Sequence, residues 1–555
     1  MLGFVDWAII AAYFLLLSGV VWWSSRKQDS TKDYFLAGRN VGWFAIGASL
    51  FASNVGSEHI VGLAGAGAST GMAMAHWELH SWVLIMLAWI FVPFYYKSGV
   101  YTMPEFLERR FNSTARWILS LVSLAAYVFT KVSVTVYAGA LVFKTLLPDT
   151  FGSPENAFWV GAFATVALTG VYTVFGGMRA VLFTDTIQAF ILLIGSAFIT
   201  YFGLQELGGW TELKSFVADD AAKYALWRPM SDPDFPWLGI LMASPIIGIW
   251  YWCTDQYIVQ RTLTARDLTT ARRGAIFGAA LKIWPVLIFL VPGLIGAALH
   301  AKGAIQIPTN EAGEIVGDQV FPTLVAEMLP VGFRGLVVGG MLAALMSSLS
   351  SLFNSSASLF TVDIYQKLRP NASEKSLVNV GRMATFVVVG LGLLWIPIMP
   401  RIASGGLYQY LQSVQGYLAP PITAVFLLGL FYKRTTAPAA VTGLGLGTLM
   451  GLGKLTIQAI YGTGEGKISD PDWLAAVGDF HFLYTSGILF AATVTIVLLV
   501  SHITTAPDDE RIKNLTYDSI DKEEIRASWN GWDLIATVVV LILTFGIYAY
   551  FSFWI

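Results

Sequence analysis

The chain has 555 residues, of which 55% are hydrophobic and 13% charged, with a mean hydropathy of +0.63. That balance excludes a soluble globular protein, and a net charge of −2 offers no basic surface for nucleic acid. A single cysteine, Cys253, excludes an internal disulfide and a cysteine-held metal cluster.

Apolar stretches of about 20 residues, the length that crosses a bilayer, recur along the chain. Fourteen can be drawn, at 5–23, 42–69, 77–97, 116–146, 157–176, 182–204, 237–256, 272–300, 325–361, 379–399, 406–431, 437–461, 481–502 and 532–554. They predict an all-α polytopic membrane protein with one transmembrane domain over 1–555. The first stretch follows MLGFVD, lacks the basic flank of a cleavable signal and reads as a retained span. Alternate connections carry the basic residues: Arg26, Lys27, Lys32 and Arg39, then Arg109, Arg110 and Arg116, then Arg261 to Arg273, Lys367 to Arg382, and Lys433 with Arg434. Basic connections stay cytoplasmic, so both termini are expected on the outer face of the cell (inner) membrane. Sequons at Asn112, Asn354, Asn371 and Asn514 fall in those connections or inside a span, and are discarded as glycosylation sites.

The second span carries Asn54, Gly56, Ser57, Glu58 and His59 in its apolar interior. Ionisable groups there face a polar cavity rather than lipid. Glycine beside polar residues lets a helix unwind and aim carbonyls at a ligand, as in ion-coupled transporters. A polar packing face between helices is the bland alternative. Span 237–256 holds SPIIGIWYWCTDQ, where Pro245 and Gly248 weaken the helix and Asp255 and Gln256 close its end. Two interrupted spans five apart predict an inverted repeat of spans 2–6 and 7–11, with 5–23 leading and 437–554 trailing.

In span nine, residues 342–358 include seven serines and an asparagine, with Ser347 and Ser351 on one face and Ser348 beside them. Hydroxyls and freed carbonyls suit sodium, although serine also serves close helix packing. Asp185, at the start of span six, reads either as a helix cap or as a carboxylate for a cation. Glu58, His59, Glu78, Ser81, Lys282 and Gln412 supply deep polar groups matched to a polyhydroxylated solute, since an unpaired buried hydroxyl is costly. Tyr251 and Trp252 offer aromatic faces to a sugar ring, and Lys131, mid-span, takes no role.

At these residues the chain resembles the sodium/solute symporters, and within them the sodium/glucose cotransporter subfamily. The motifs are GASLFASNVGSEHIVGLAG, YTMPEFLERRF, GGMRAVLFTDTIQ, WYWCTDQYIVQRTL, LMSSLSSLFNSSASLFTVDIY and YLAPPITAVFLLGLFYKR. The resemblance implies a leucine-transporter-type fold in a bilayer, sodium as the cotransported ion, a sugar as solute, no cofactor and no enzymatic activity. It implies a shared sodium site at the carbonyls of Ala52, Val55 and Ala344 and the hydroxyls of Ser347 and Ser348. A second sodium would use Asp185, Ser350, Ser351 and Ser53. The implied sugar pocket is Asn54, His59, Glu78, Ser81, Tyr251, Trp252, Lys282 and Gln412, with Glu58 matching a carboxylate of bacterial galactose carriers. Tyr251 would be the inner gate, and Leu63, Trp77 and Tyr408 the outer lid.

Three positions depart from the subfamily: Gly248 replaces a polar residue and is expected to enlarge the pocket, Gln409 replaces an acid, and Gln415 replaces threonine. They leave glucose, galactose, inositol and other sugars open. Proton coupling through Glu58, His59 or Asp185 is a rival, as is a sugar sensor that moves nothing.

Overall fold

Backbone buried in lipid must satisfy its own hydrogen bonds, which favours helix wherever the sequence is continuously apolar. The computed structural model describes residues 2–25, 30–148, 150–398, 407–464, 466–520 and 522–555; inside helices the side chains of Glu58, Phe129, Trp395, Ile398 and residues 407–410 lie outside that description. Among the described residues the chain is helical, with β structure limited to isolated bridges. Twelve described segments are long and apolar enough to cross a membrane, against fourteen drawn from sequence. Spans 157–176 and 182–204 lie in one helical run, Pro154–Leu207, divided at Gly177. Gly177 adopts φ 53°, ψ −161°, and a Cβ there would lie 2.7 Å from the Tyr34 carbonyl oxygen, so only glycine fits the reversal.

The serine helix sits at the centre. The segment Phe333–Leu368 is 94% buried over its most apolar window, against 22% for Phe4–Ser24 and for Gly531–Ser552, which flank the body. Three anchors fix it. Asp6 Oδ1, from the leading helix, accepts hydrogen bonds from the Gly332 and Gly335 amides at 2.7 and 2.8 Å, capping the N-terminus of Phe333–Ser358. Beyond its other end, Asp363 Oδ1 accepts from Arg116 Nε at 2.6 Å and from Thr102 Oγ1 at 2.8 Å. The same Arg116 reaches Glu108, which also pairs with Lys367 at 2.8 Å. Burial opposes ionisation of Glu108, but the hydrogen bonds from Lys367 and Arg116 outweigh it and hold the carboxyl below its ordinary range.

Both interrupted spans are broken. The first divides into Trp43–Asn54 and Ser57–Thr70, with Val55 (φ −91°, ψ 94°) and Gly56 (φ −93°, ψ 179°) extended between them. The second breaks later than Pro245 and Gly248 predict. Helix Trp237–Ile249 contains both residues, passes into a wide π-type turn at Trp250–Thr254, and resumes as Gln256–Leu263 after extended Asp255. Asp255 and Gln256 therefore begin a half-helix rather than close the span. Asp255 is its N-cap, accepting from the Tyr257 amide at 3.3 Å.

Helix Trp43–Asn54 lies against Leu268–Leu281 through small residues. A Cβ at Gly47 would lie 2.7 Å from the Gly274 carbonyl oxygen and 2.6 Å from Phe277. Such contact needs glycine, and it brings Lys282, just past the second helix, against Asn54 at the end of the first.

Candidate functional site

The break releases carbonyls from the helical ladder. The Gly56 amide turns to His59 Nδ1 (3.3 Å) and the His59 amide to the Gly56 carbonyl (3.0 Å). The carbonyls of Ala52 and Val55 thereby lose their usual i+4 partners. His59 thus holds the break through Nδ1 and also lines the cleft. From the serine helix, Ser348 Oγ reaches the end of the first half-helix, donating to the Ser53 carbonyl at 3.2 Å, and Tyr257 Oη donates to the same oxygen.

A carboxylate lies beside this junction. Asp185 accepts from Ser347 Oγ on Oδ1 at 2.6 Å, and from Ser49 and Ser53 on Oδ2 at 2.5 and 3.0 Å. It lies inside the run Pro154–Leu207, well past Gly177, so the helix-cap reading is overturned. Ser351 Oγ contacts Ser53 Oγ at 2.8 Å, while Ser350 Oγ donates to the Ser347 carbonyl of its own helix at 3.0 Å. Ser347 and Ser348, assigned together from sequence, therefore point to different partners. Oxygen donors around one buried carboxylate form a set suited to a hard monovalent cation.

On the other side of the break is a cleft with about 520 Å³ free of protein atoms, part of it open to solvent. Its lining includes Asn54, His59, Trp77, Glu78, Tyr251, Trp252, Lys282 and Gln412, all predicted from sequence. Lys282 Nζ donates to Glu78 Oε2 at 2.5 Å and to Asn54 Oδ1 at 2.7 Å, with both charged side chains at most 2% exposed. Asn54 Nδ2 donates to Tyr251 Oη at 3.1 Å. The Tyr251 and Trp252 rings meet edge-on at 5.1 Å, and Lys282 lies 5.6 Å from the Trp252 ring centre. Among the described residues, Trp77 Nε1, Ser81 Oγ and Gln412 Oε1 are buried with no hydrogen-bond partner.

Lys131, left without a role by the sequence, forms a buried ion pair with Asp255 at 2.7 Å. Its ammonium lies 4.5 Å from the ring centres of both Tyr251 and Tyr257, in the cleft lining. Tyr127 Oη also donates to Asp255. The pair joins the turn Tyr127–Val132 to the second broken helix, directly under Tyr251.

Of the remaining sequence assignments, Leu63 is fully buried and does not line the cleft; Ser81 is buried beside it without lining it. Ala344 is buried within the serine helix. Gln415 lines the cleft. The side chains of Glu58, Tyr408 and Gln409 lie outside the described residues. The expected enlargement at Gly248 is absent: a Cβ there would lie 3.0 Å from the His80 ring, which fills the space and bonds Ser244 Oγ at 2.8 Å. His80, Thr135, Ser49, Asp255 and Arg261 were missed. Of these, only Asp255 carries a signal, being a charge at the end of an apolar span.

Comparison with known proteins gives the family and the fold. The profile of the sodium:solute symporter family matches residues 34–447. The chain is 37% identical to sodium/glucose cotransporter 1 of Ovis aries over 558 aligned residues, covering 95% of this chain and 83% of that protein. It is 40% identical to sodium/myo-inositol cotransporter 2 of Mus musculus over 542, covering 92% and 79%. A solved substrate-bound, outward-open Na+-coupled sialic acid symporter is similar with a TM-score of 0.76 and 23% identity, covering 91% of this chain and 99% of that one. That likeness gives the leucine-transporter-type fold, and the profile and the two relatives make the chain a member of the sodium:solute symporter family.

Proposed function

We propose that the protein couples sodium entry to uptake of a monosaccharide or cyclic polyol by alternating access. Sodium-coupled solute transport follows from the family, and the chain is a transporter rather than an enzyme. The sugar is the finer claim. One observation carries it: Trp77 Nε1 and Gln412 Oε1, buried and unpaired among the described residues, belong to side chains that line a cleft already held by the Glu78–Lys282–Asn54 chain. Unpaired buried donors and acceptors are costly, and a solute bearing several hydroxyls satisfies them. An apolar solute would leave them stranded.

In this reading the first sodium takes the carbonyls of Ala52, Val55 and Ala344 with Ser347 and Ser348, and a second takes Asp185 with Ser53, Ser350 and Ser351. Glu58, His59, Tyr251, Trp252 and Gln412 complete the sugar pocket, with Leu63, Trp77 and Tyr408 as the outer lid. The two broken spans open repeats over 42–204 and 237–431. Both termini face outward from the cell membrane. One sodium falling through 100 mV contributes about 2.3 kcal/mol, enough for roughly fiftyfold accumulation.

Labelled glucose uptake into proteoliposomes, under an inward sodium or an inward proton gradient, tests this. Unlabelled galactose, myo-inositol, sialic acid and proline compete in the same assay. Sodium-driven uptake blocked by galactose or myo-inositol is expected. Uptake driven by protons alone would overturn the sodium reading. Sodium-dependent binding without uptake would make the protein a sensor.

A further inference from the structure

We propose that Arg261 is a tethered cation that competes with the second sodium ion for Ser53 and Asp185. The proposal rests on the second-sodium reading above.

Arg261 lies in the half-helix Gln256–Leu263 and is fully buried. Its Nε donates to Ser53 Oγ at 2.9 Å and its Nη1 to the Tyr257 carbonyl. Its Nη2 is buried without a hydrogen-bond partner among the described residues. Ser53 Oγ is thus surrounded three ways: by Asp185 Oδ2 at 3.0 Å, Ser351 Oγ at 2.8 Å and Arg261 Nε.

A hydroxyl has one proton and two lone pairs. The proton of Ser53 goes to Asp185, because a carboxylate only accepts. Arg261 only donates, so it takes one lone pair. Ser351 must then donate to the other. Ser53 Oγ is saturated in this arrangement, with nothing left to give a metal ion. Sodium can bind Ser53 only if Arg261 or Ser351 withdraws. Ser351 can rotate its proton away at little cost, but Arg261 carries a positive charge that an ion at Asp185 repels. Arg261 is the group whose departure the ion forces.

The arrangement also has a use when sodium is absent. A buried carboxylate without a counter-charge is costly to carry through a membrane. Arg261, one hydroxyl away from Asp185, supplies that charge and lets the carrier return without its ion. On binding, sodium replaces it. Arg261 thereby weakens sodium binding and speeds the return of the empty carrier.

The test compares Arg261→Gln, Arg261→Lys and Asp185→Asn with the parent protein in proteoliposomes. The sodium concentration for half-maximal sugar uptake is expected to rise in the order Gln, Lys, parent, with Gln at least threefold below parent. Net uptake should slow in Arg261→Gln, while sugar exchange with sodium saturating on both sides stays near parental. Half-maximal sodium at or above the parental value, in whichever Arg261 variant folds, overturns the proposal. So does equal slowing of net uptake and exchange. If Asp185→Asn leaves sodium dependence unchanged, the second-sodium reading itself fails, and the proposal with it. If Asp185→Asn alters it and the Arg261 variants do not, only the competition is refuted.

Discussion

Removing Glu78 isolates the cost of the charge pair at the floor of the cleft. Glu78 Oε2 and Lys282 Nζ lie 2.5 Å apart and both side chains are at most 2% exposed. At an effective dielectric near 20, Coulomb attraction at that separation is roughly 6–7 kcal/mol, most of it offset by the desolvation of two ions. The net worth of the pair is therefore small, but the cost of breaking it is not. Glu78→Ala leaves the ammonium with only Asn54 Oδ1, at 2.7 Å, of its two side-chain acceptors. Stranding a buried charge costs about 3–5 kcal/mol. Glu78→Ala and Lys282→Met should each lower the thermal stability of the purified protein strongly, whereas Glu78→Leu combined with Lys282→Met should recover most of the loss. The double variant should still fail to bind labelled sugar, because the donors and acceptors are gone. Additive losses in the double variant would refute the paired-charge reasoning. Normal sugar binding in it would remove the pair from the pocket.

Four further outcomes are expected. Gln412→Ala removes one neutral hydrogen-bonding side chain, so sugar affinity should fall about fivefold (about 1 kcal/mol) with sodium binding unchanged, read by equilibrium binding of both ligands. Ser348→Ala deletes the hydroxyl bonded to Ser53 just before the break, and the sodium concentration for half-maximal uptake should rise about tenfold; an unchanged value would sink the first cation site. Lys131→Met strands Asp255 and should destabilise by about 3–5 kcal/mol, while pairing it with Asp255→Asn should restore folding but permit sugar efflux without sodium, measured from preloaded vesicles. Gly47→Ala pushes Trp43–Asn54 away from Leu268–Leu281, costing about 1–3 kcal/mol and weakening sugar binding more than sodium binding, as separate titrations would show.

The two breaks were unequally legible in the sequence, for a physical reason. At the first, polar residues and Gly56 sit at the point of unwinding, so the composition marks the place. At the second, Pro245 and Gly248 lie inside a continuous helix. A proline's lost hydrogen bond there is absorbed by local adjustment, and Gly248 serves the His80 ring instead. The break falls at Trp250–Thr254, where a wide turn among apolar residues leaves no compositional mark. Asp185 shows the same limit. Its local sequence resembles a helix start, and only the fold brings Ser49, Ser53 and Ser347 to it. Lys131 was visible as a buried charge, but its partner lies 124 positions away. Motifs disclose residues that act near their own segment; pairings between distant spans depend on packing.

On the proposed sites, the adjacency of Ser53 and Asn54 would let two ligands on different faces of one helix end favour the same state. Consecutive residues on a helix point about 100° apart. Ser53 is directed to Asp185 and Ser351, Asn54 to Tyr251 and Lys282. Both belong to the last turn before the extended pair Val55 and Gly56. A cation held, as proposed, by the released carbonyls of Ala52 and Val55 would fix where that turn ends, and so the direction of the Asn54 amide. A sugar that engages Asn54 and Lys282 draws on the same turn from the other side, holding the carbonyls in position. Each ligand then lowers the ordering cost of the other, and linkage requires the two effects to be equal. On the proposed sites the coupling needs no long path through the protein, because a single helix end would carry both ligand sets.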